Sequence, residues 1–243
     1  MKVRASDMKN YFGRYLDRCK DEDIQITKND RVVARLSAYQ EPTDDSLTLR
    51  DGSAAYAYAG KPVTYEEFKR ITESSQERYE YIDGVIYQMA SPGISHQLIH
   101  AHLYAHLYDW FKGRTCRVFS APFAVTLAND AQKSKNVVEP DLLVSSDYRD
   151  QRDAHDRYTG IPALVIEILS PGTRSLDQVK KLNIYLDGGV NEYWIVDPRD
   201  RKVTRYSFVN KQLEDIDLFR YPEEIKSSYF AGLEVPTVDI FAE

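Results

Sequence analysis

Apolar and polar positions divide the chain into short, readable segments. Met8, Tyr11, Phe12, Tyr15, Leu16 and Cys19 recur at helical spacing, which predicts an amphipathic helix with Ser6 as its N-cap. Apolar runs at 24–27 and 32–37 flank a polar turn and predict a hairpin. Residues 41–62 mix Pro, Gly, Ser, Asp and Ala without a sustained period, as a linker does. Thr64 with Glu67 forms a capping box that opens a helix through Phe68 and Ile71. Residues 78–89 predict two strands about a tight turn at Asp83-Gly84. Ser91-Pro92-Gly93 then breaks the chain ahead of a long helix over about 96–111. Strand-like runs follow at 117–127, 137–144 and 163–169. A helix over 176–187, capped by Ser175 with Gln178 and stopped by Gly188-Gly189, precedes strands at 192–197 and 202–208. Strands framed by helices predict an α/β body around one central mixed sheet.

Composition narrows the class. With 243 residues, 42% hydrophobic and 29% charged, the chain can bury a core in one large domain or two unequal ones. No apolar run reaches membrane-spanning length, and the N-terminus lacks a secretory apolar stretch. Cys19 and Cys116 are too few for a disulfide framework or a cysteine metal site, so a reducing cytoplasm is expected. Residues 1–40 carry nine Lys or Arg against six acids, net +3, which leaves −9 on the rest. A basic head on an acidic body weakly favours an anionic partner at the head and argues against indiscriminate coating of DNA. One helix and one hairpin cannot easily bury enough surface alone, so the head is expected to pair with a second copy.

The candidate chemistry lies in the body. Residues 163–169 are apolar on both faces, as in a central strand, yet hold Glu167. A buried carboxylate needs a cation, and both a plain ion pair with Arg or Lys and a functional site meet that need. The run 136–144 is interrupted by Pro140, which leaves Asp141 at a bend. Alone, Asp141 reads as a turn-capping residue; beside Glu167 it makes an oxygen-rich site for a hard divalent cation such as magnesium. Lys181 follows Glu167 by 14 positions, and Asp177, Lys181 and Tyr185 form one helical stripe. Periodicity favours a solvated face with an Asp–Lys pair there. His96, His100, His102 and His106 offer i, i+4 pairs suited in principle to zinc, but no third ligand is evident and exposed histidines are commoner, so only His96 is retained.

Several of these segments, taken in order, resemble the Uma-type putative restriction endonucleases. They are Tyr79-Glu80-Tyr81-Ile82-Asp83-Gly84, Ser91-Pro92 with His96, Pro140-Asp141-Leu142, Val165-Ile166-Glu167-Ile168-Leu169-Ser170-Pro171, the positions Asp177, Lys181 and Tyr185, and residues 189–198. The likeness covers about residues 62–241 and implies the PD-(D/E)XK nuclease fold, a mixed sheet flanked by helices. It implies Asp141 as the Asp of the PD element and Glu167 as the second acid, with magnesium or manganese as cofactor. Leu169 stands where the bare motif has lysine, and the resemblance assigns that role to Lys181 on the following helix. Glu80 corresponds to an early acid and His96 to the family's histidine.

The head, over 1–38, is similar to the DNA-binding part of Phd/YefM antitoxins, in Lys2-Val3-Arg4-Ala5-Ser6-Asp7-Met8, the helix at Leu16-Asp17 and the hairpin. That resemblance implies a homodimer that contacts DNA, with Arg4, Lys9, Arg14 and Arg31 as candidate phosphate contacts. The organisation expected is therefore a DNA-binding head (1–40), a linker (41–62) and an endonuclease domain (63–243). The function expected is magnesium-dependent hydrolysis of DNA. The alternatives are a DNA-binding regulator whose body has lost turnover, or an antitoxin-like protein that binds a toxin.

Overall fold

The computed structural model describes residues 1–29, 31–38, 62–89, 91–129, 134–170 and 180–242. The chain forms two compact units, Met1–Asp45 and Ser46–Glu243. The expected linker falls almost wholly outside the described residues.

In the first unit, strand β1 (Lys2–Arg4) leads into helices α1 (Ala5–Asn10) and α2 (Phe12–Arg18), followed by the hairpin β2 (Ile24–Lys28) and β3 (Arg31–Leu36). The expected hairpin is present, and β1 adds a third strand, parallel to β2. The single helix expected from periodicity is two helices, broken at Tyr11, where φ is −130°. Arg4 is the N-cap and Ser6 lies inside α1, because the chain passes directly from β1 into the helix. A 3.6-residue period does not register a break of one residue. The break brings Met8 and Cys19 onto Val3 and Ile24 to form the unit's core. Tyr11, Phe12 and Leu16, expected on the buried stripe, are 52%, 51% and 42% exposed.

The second unit begins with α3 (Tyr65–Glu73), where Thr64 and Glu67 form the expected capping box. The elements β4 (Tyr79–Ile82), β5 (Val85–Gln88), α4 (Ile94–Phe111), β6 (Arg117–Ser120), β7 (Val125–Asn129) and β8 (Ser134–Val138) come next. Then follow β9 (Leu142–Ser145), β10 (Leu164–Ile168), α5 (Leu182–Gly188), β11 (Glu192–Asp197), β12 (Lys202–Val209) and β13 (Gln212–Arg220). The chain closes with β14 (Glu224–Lys226), β15 (Glu234–Pro236) and α6 (Thr237–Ile240). Asp83 and Gly84 both take positive φ, 50° and 83°, as the tight β4–β5 turn demands.

The strands do not make one central sheet. They make a six-stranded sheet in the order β13-β12-β11-β10-β9-β6, a four-stranded sheet in the order β5-β4-β8-β7, and the pair β14-β15. Runs 117–127 and 137–144, expected as single strands, each cross from one sheet to the other, at Ala121-Pro122 and at Pro140. Proline has no N–H for the ladder, so the pairing ends there and the chain changes sheets. In the six-stranded sheet, β10 and β11 are parallel and the other pairs are antiparallel.

Alternation along β10 assigns its two faces. Leu164, Ile166 and Ile168 pack with Ile99, Leu103, Leu107 and Phe111 of α4. Val165 packs the other way, with Ile184 and Tyr185 of α5 and with Val125, Leu127 and Val138 of the four-stranded sheet. Glu167 shares the parity of Val165, so it points into the layer between the two sheets. Helix α3 covers the far side of the four-stranded sheet, through Phe68 and Ile71 against Tyr79, Tyr81 and Ile86. Among the described residues no helix is long and apolar enough to cross a membrane.

Candidate functional site

Asp141 and Glu167 are neighbours across a ladder. In the antiparallel pairing of β9 with β10, Ile166 faces Leu142, and the next pair in that register is Glu167 with Asp141. Asp141 lies one residue before β9, just after Pro140; its main-chain oxygen still accepts the Ala121 N–H at 3.0 Å, and the Ile168 N–H donates a 2.8 Å hydrogen bond to its Oδ2. The carboxylate is thereby held against the strand that carries Glu167. His96 Nε2 lies 3.2 Å from the same Oδ2. His100 Nε2 lies 3.2 Å from the main-chain oxygen of Asp141 and 3.0 Å from Ser120 Oγ. Helix α4 starts two residues earlier than expected, at Ile94, so His96 sits in its first turn and His100 one turn on. Their i, i+4 spacing serves Asp141, and His106 pairs with Asp239 at 3.2 Å.

The second half of the site is an ion-pair cluster between the sheets. Lys181 Nζ lies 2.9 Å from Glu80 Oε1 and 2.9 Å from Glu167 Oε1. The Tyr185 hydroxyl donates to Glu167 Oε1 at 2.7 Å, and the Glu139 N–H donates to Glu80 Oε1 at 2.9 Å. Glu80, Glu167, Lys181 and Tyr185 are only 3%, 4%, 3% and 0% exposed. Burial, and then the Glu167 charge, push the Tyr185 phenol well above its ordinary range, so it remains a donor.

These positions overturn the reading of Lys181 and Tyr185 as a solvated stripe. Helix α5 is packed between the sheets, and Lys181 and Tyr185 face inward. Helical spacing shows which residues share a face, but not which face is covered. Asp177, the third member of that stripe, lies outside the described residues, as does the predicted cap at Ser175. The described chain resumes at Lys180 in a π-helical turn through Lys181, a geometry common at functional sites. The cation that a buried Glu167 requires is Lys181.

The donor set suits a hard cation of the magnesium type. Among the described residues no group of three or more His, Cys, Asp or Glu is arranged to hold a metal ion. Magnesium typically takes one or two carboxylates and completes its shell with water and substrate phosphate. Asp141 and Glu167, at adjacent ladder positions, offer that pair. Glu80 is drawn to Lys181 through the same oxygen that accepts the Glu139 N–H.

Tyr185, Glu139, Arg78 and His100 join the site without having been singled out as site residues from sequence. Tyr185 had a signal, its place one turn after Lys181. Glu139 had one too, immediately before Pro140-Asp141. Arg78 had none: its partner Glu139 is 61 residues away. Arg78 and Glu139 also line a cleft of about 890 Å³ whose walls include Tyr65, Phe123, Lys135 and Tyr158. In the first unit, Arg4, Lys9, Arg14 and Arg31 are all exposed.

The family model described as "Putative restriction endonuclease", Uma2, matches residues 65–238. The chain is 29% identical over 120 residues to an uncharacterised protein, slr1290, of Synechocystis sp., a match that covers 49% of this chain and 60% of that relative. It is also similar to a crystal structure from Anabaena variabilis titled as a putative nuclease belonging to DUF820. That likeness has a TM-score of 0.60 at 25% identity and covers 74% of this chain and 98% of that one.

Proposed function

The chain belongs to the Uma2 family, whose description is "Putative restriction endonuclease", and on that premise we propose that its body is a divalent-metal-dependent endonuclease that hydrolyses phosphodiester bonds in DNA. The observation that carries this reading is that the Asp141 carboxylate accepts the N–H of Ile168, the residue next to Glu167, while the Lys181 ammonium lies 2.9 Å from Glu167. Leu169 leaves the strand without the motif's lysine, and Lys181, at the N-cap of α5, supplies an ammonium at Glu167 instead.

In this mechanism Asp141 and Glu167 would hold magnesium or manganese. When bound, the metal lowers the pKa of a water and offsets charge on the phosphate. The protein's own groups do the rest. The Ile168 N–H fixes the Asp141 carboxylate, and His96 braces the same oxygen. Tyr185 and Lys181 hold Glu167 by Oε1 and thus set the carboxylate plane. The Lys181 ammonium is placed to orient the attacking water or to stabilise charge on the phosphate oxygens. Glu80 shares Lys181 and helps to anchor its ammonium.

The first unit is proposed to pair with a second copy and to bring DNA near the body through Arg4, Lys9, Arg14 and Arg31. Supporting this are the exposed Tyr11, Phe12, Val32 and Val33, at 51–57% exposure, and the open edge of β3. Of the four cations, none makes an ion pair with a described residue.

The test is plasmid cleavage by the purified full chain. Cleavage that needs magnesium, stops with chelator and is lost in Glu167→Gln supports the reading. Absence of cleavage, or cleavage indifferent to Glu167→Gln, overturns it and leaves a DNA-binding regulator as the better account.

A further inference from the structure

Three residues, Glu139-Pro140-Asp141, carry the chain from β8 in one sheet to β9 in the other, and both ends of this bridge are tied. Asp141 is held by the Ile168 N–H at 2.8 Å. Glu139 is held twice. Arg78 Nε donates to its Oε2 at 2.7 Å, with Nη2 2.5 Å from the same oxygen. Two residues further on, Glu80 accepts the Glu139 main-chain N–H at 2.9 Å. Tyr81 pairs with Val137, and in that antiparallel register Glu139 falls opposite Tyr79, between its two holders. Pro140, next in the bridge, is buried and has no N–H to offer, so Glu139 is the anchor of that end.

We infer that Arg78 is a positioning residue for the candidate nuclease site. By gripping the Glu139 side chain it keeps the Glu139 N–H on Glu80 and, through the stiff Pro140, sets Asp141 against the Glu80–Lys181–Glu167 cluster. The inference rests on reading that cluster as the phosphodiester-cleaving centre.

Magnitudes separate this role from plain stabilisation. The Arg78 side chain is 39% exposed and that of Glu139 15%, so the pair is half-buried, and losing it lowers global stability modestly without unfolding the chain. A misplacement of about 1 Å at a reacting centre, by contrast, costs roughly a hundredfold in rate. Arg78 therefore matters through geometry. The Arg78 Nε–H gives that carboxylate a directed hydrogen bond, which a lysine's point charge reproduces only in part.

The test uses the full chain with Arg78→Ala, Arg78→Lys, Glu139→Gln and the double variant Arg78→Ala/Glu139→Gln. Plasmid cleavage is followed with magnesium, unfolding in urea, and hydrogen exchange at the Glu139 amide. Arg78→Ala is expected to lower kcat roughly 10–100-fold, with KM within about twofold and the urea midpoint lowered only modestly, no more than in Glu139→Gln. Arg78→Lys recovers part of the rate, and the double variant is no slower than Glu139→Gln. Exchange at Glu139 quickens while β10 amides stay protected. Wild-type kcat in Arg78→Ala, a rise in KM alone, or independent losses in the double variant would each overturn the inference. Should the wild-type protein fail to cleave DNA, the nuclease reading falls by itself. The exchange measurement then decides the remaining link: faster exchange at Glu139 supports it, and unchanged exchange removes it.

Discussion

The Tyr185 hydroxyl donates a 2.7 Å hydrogen bond to Oε1 of Glu167, the oxygen that the Lys181 ammonium also grips. A phenol from α5 and the ammonium of its N-cap residue thus fix a single carboxylate oxygen in a buried layer. Replacing Tyr185 with Phe removes the hydroxyl and little else. Stability should fall by about 1.5–3 kcal/mol, the usual worth of a hydrogen bond to a charged group. Turnover should drop roughly 10–100-fold, as expected when a group supporting a metal-binding carboxylate is lost. Urea unfolding and cleavage kinetics on the same preparation measure both effects.

Lys181 is the cation for two buried acids. Lys181→Met leaves Glu80 and Glu167 facing each other without it, and breaking a buried pair from one side costs about 3–5 kcal/mol. The same chain carrying Glu80→Gln as well should regain part of that loss, because one of the two stranded charges is gone. Urea midpoints of the two variants give the comparison; equal midpoints would mean that Glu80 does not depend on Lys181.

Four phenols give the protein a weakness at alkaline pH. Burial is the first cause raising Tyr81, Tyr158, Tyr185 and Tyr206 above their ordinary value of about 10. Above that value the unfolded chain releases these protons while the native protein keeps them. The native state then binds more protons than the unfolded one, and stability falls as pH rises. Below pH of about 10 both states are protonated and this contribution is fully present. Tyr185→Phe should flatten the decline, as seen in urea midpoints taken between neutral and strongly alkaline buffer.

Much of this site was visible along the chain before folding. Glu167 announced itself as a charge within a strand apolar on both faces, and Pro140 marked Asp141 as a residue at a bend. Such signals are local, set by neighbours a few positions away. What stayed hidden depends on contacts between distant segments. Lys181 and Tyr185 form a stripe with the same spacing whether they face water or core, and only the layer between two sheets decides. The one-sheet expectation failed because a proline ending a strand does not say where the chain goes next. Glu192 is a counter-example to any simple rule about buried acids. It too lies in an apolar strand and is wholly buried, but Trp194 Nε1 and the N–H groups of Ser228 and Tyr229 satisfy it, and it serves to fasten a loop. Edge strand β13 escaped notice because Asp215 and Asp217 make it look like a loop, although Arg205 gathers both acids.

Asp141→Asn separates metal binding from structure. Asn keeps an oxygen able to accept the Ile168 N–H, so the bend should survive and the urea midpoint should move little. The negative charge that a hard cation requires is lost. Titration calorimetry with manganese should show binding heat in the wild type and none in Asp141→Asn. Equal heats would place the metal elsewhere.

The first unit should associate through its uncovered apolar surface. Among its described residues the core is four buried side chains, Val3, Met8, Cys19 and Ile24, while Phe12 and Val33 stand 51% and 57% exposed. Burying such side chains contributes about 1.5–3 kcal/mol each, which is a large share of what so small a unit has to spare. Phe12→Asp with Val33→Asp should therefore turn a dimer into a monomer in sedimentation velocity. The body's urea transition should stay where it was, because neither residue belongs to the body's cores. DNA affinity should fall together with the dimer, since one set of Arg4, Lys9, Arg14 and Arg31 then replaces two, and the salt dependence of binding should weaken in step. A wild-type chain that sediments as a monomer at micromolar concentration would remove the pairing and the doubled DNA contact with it.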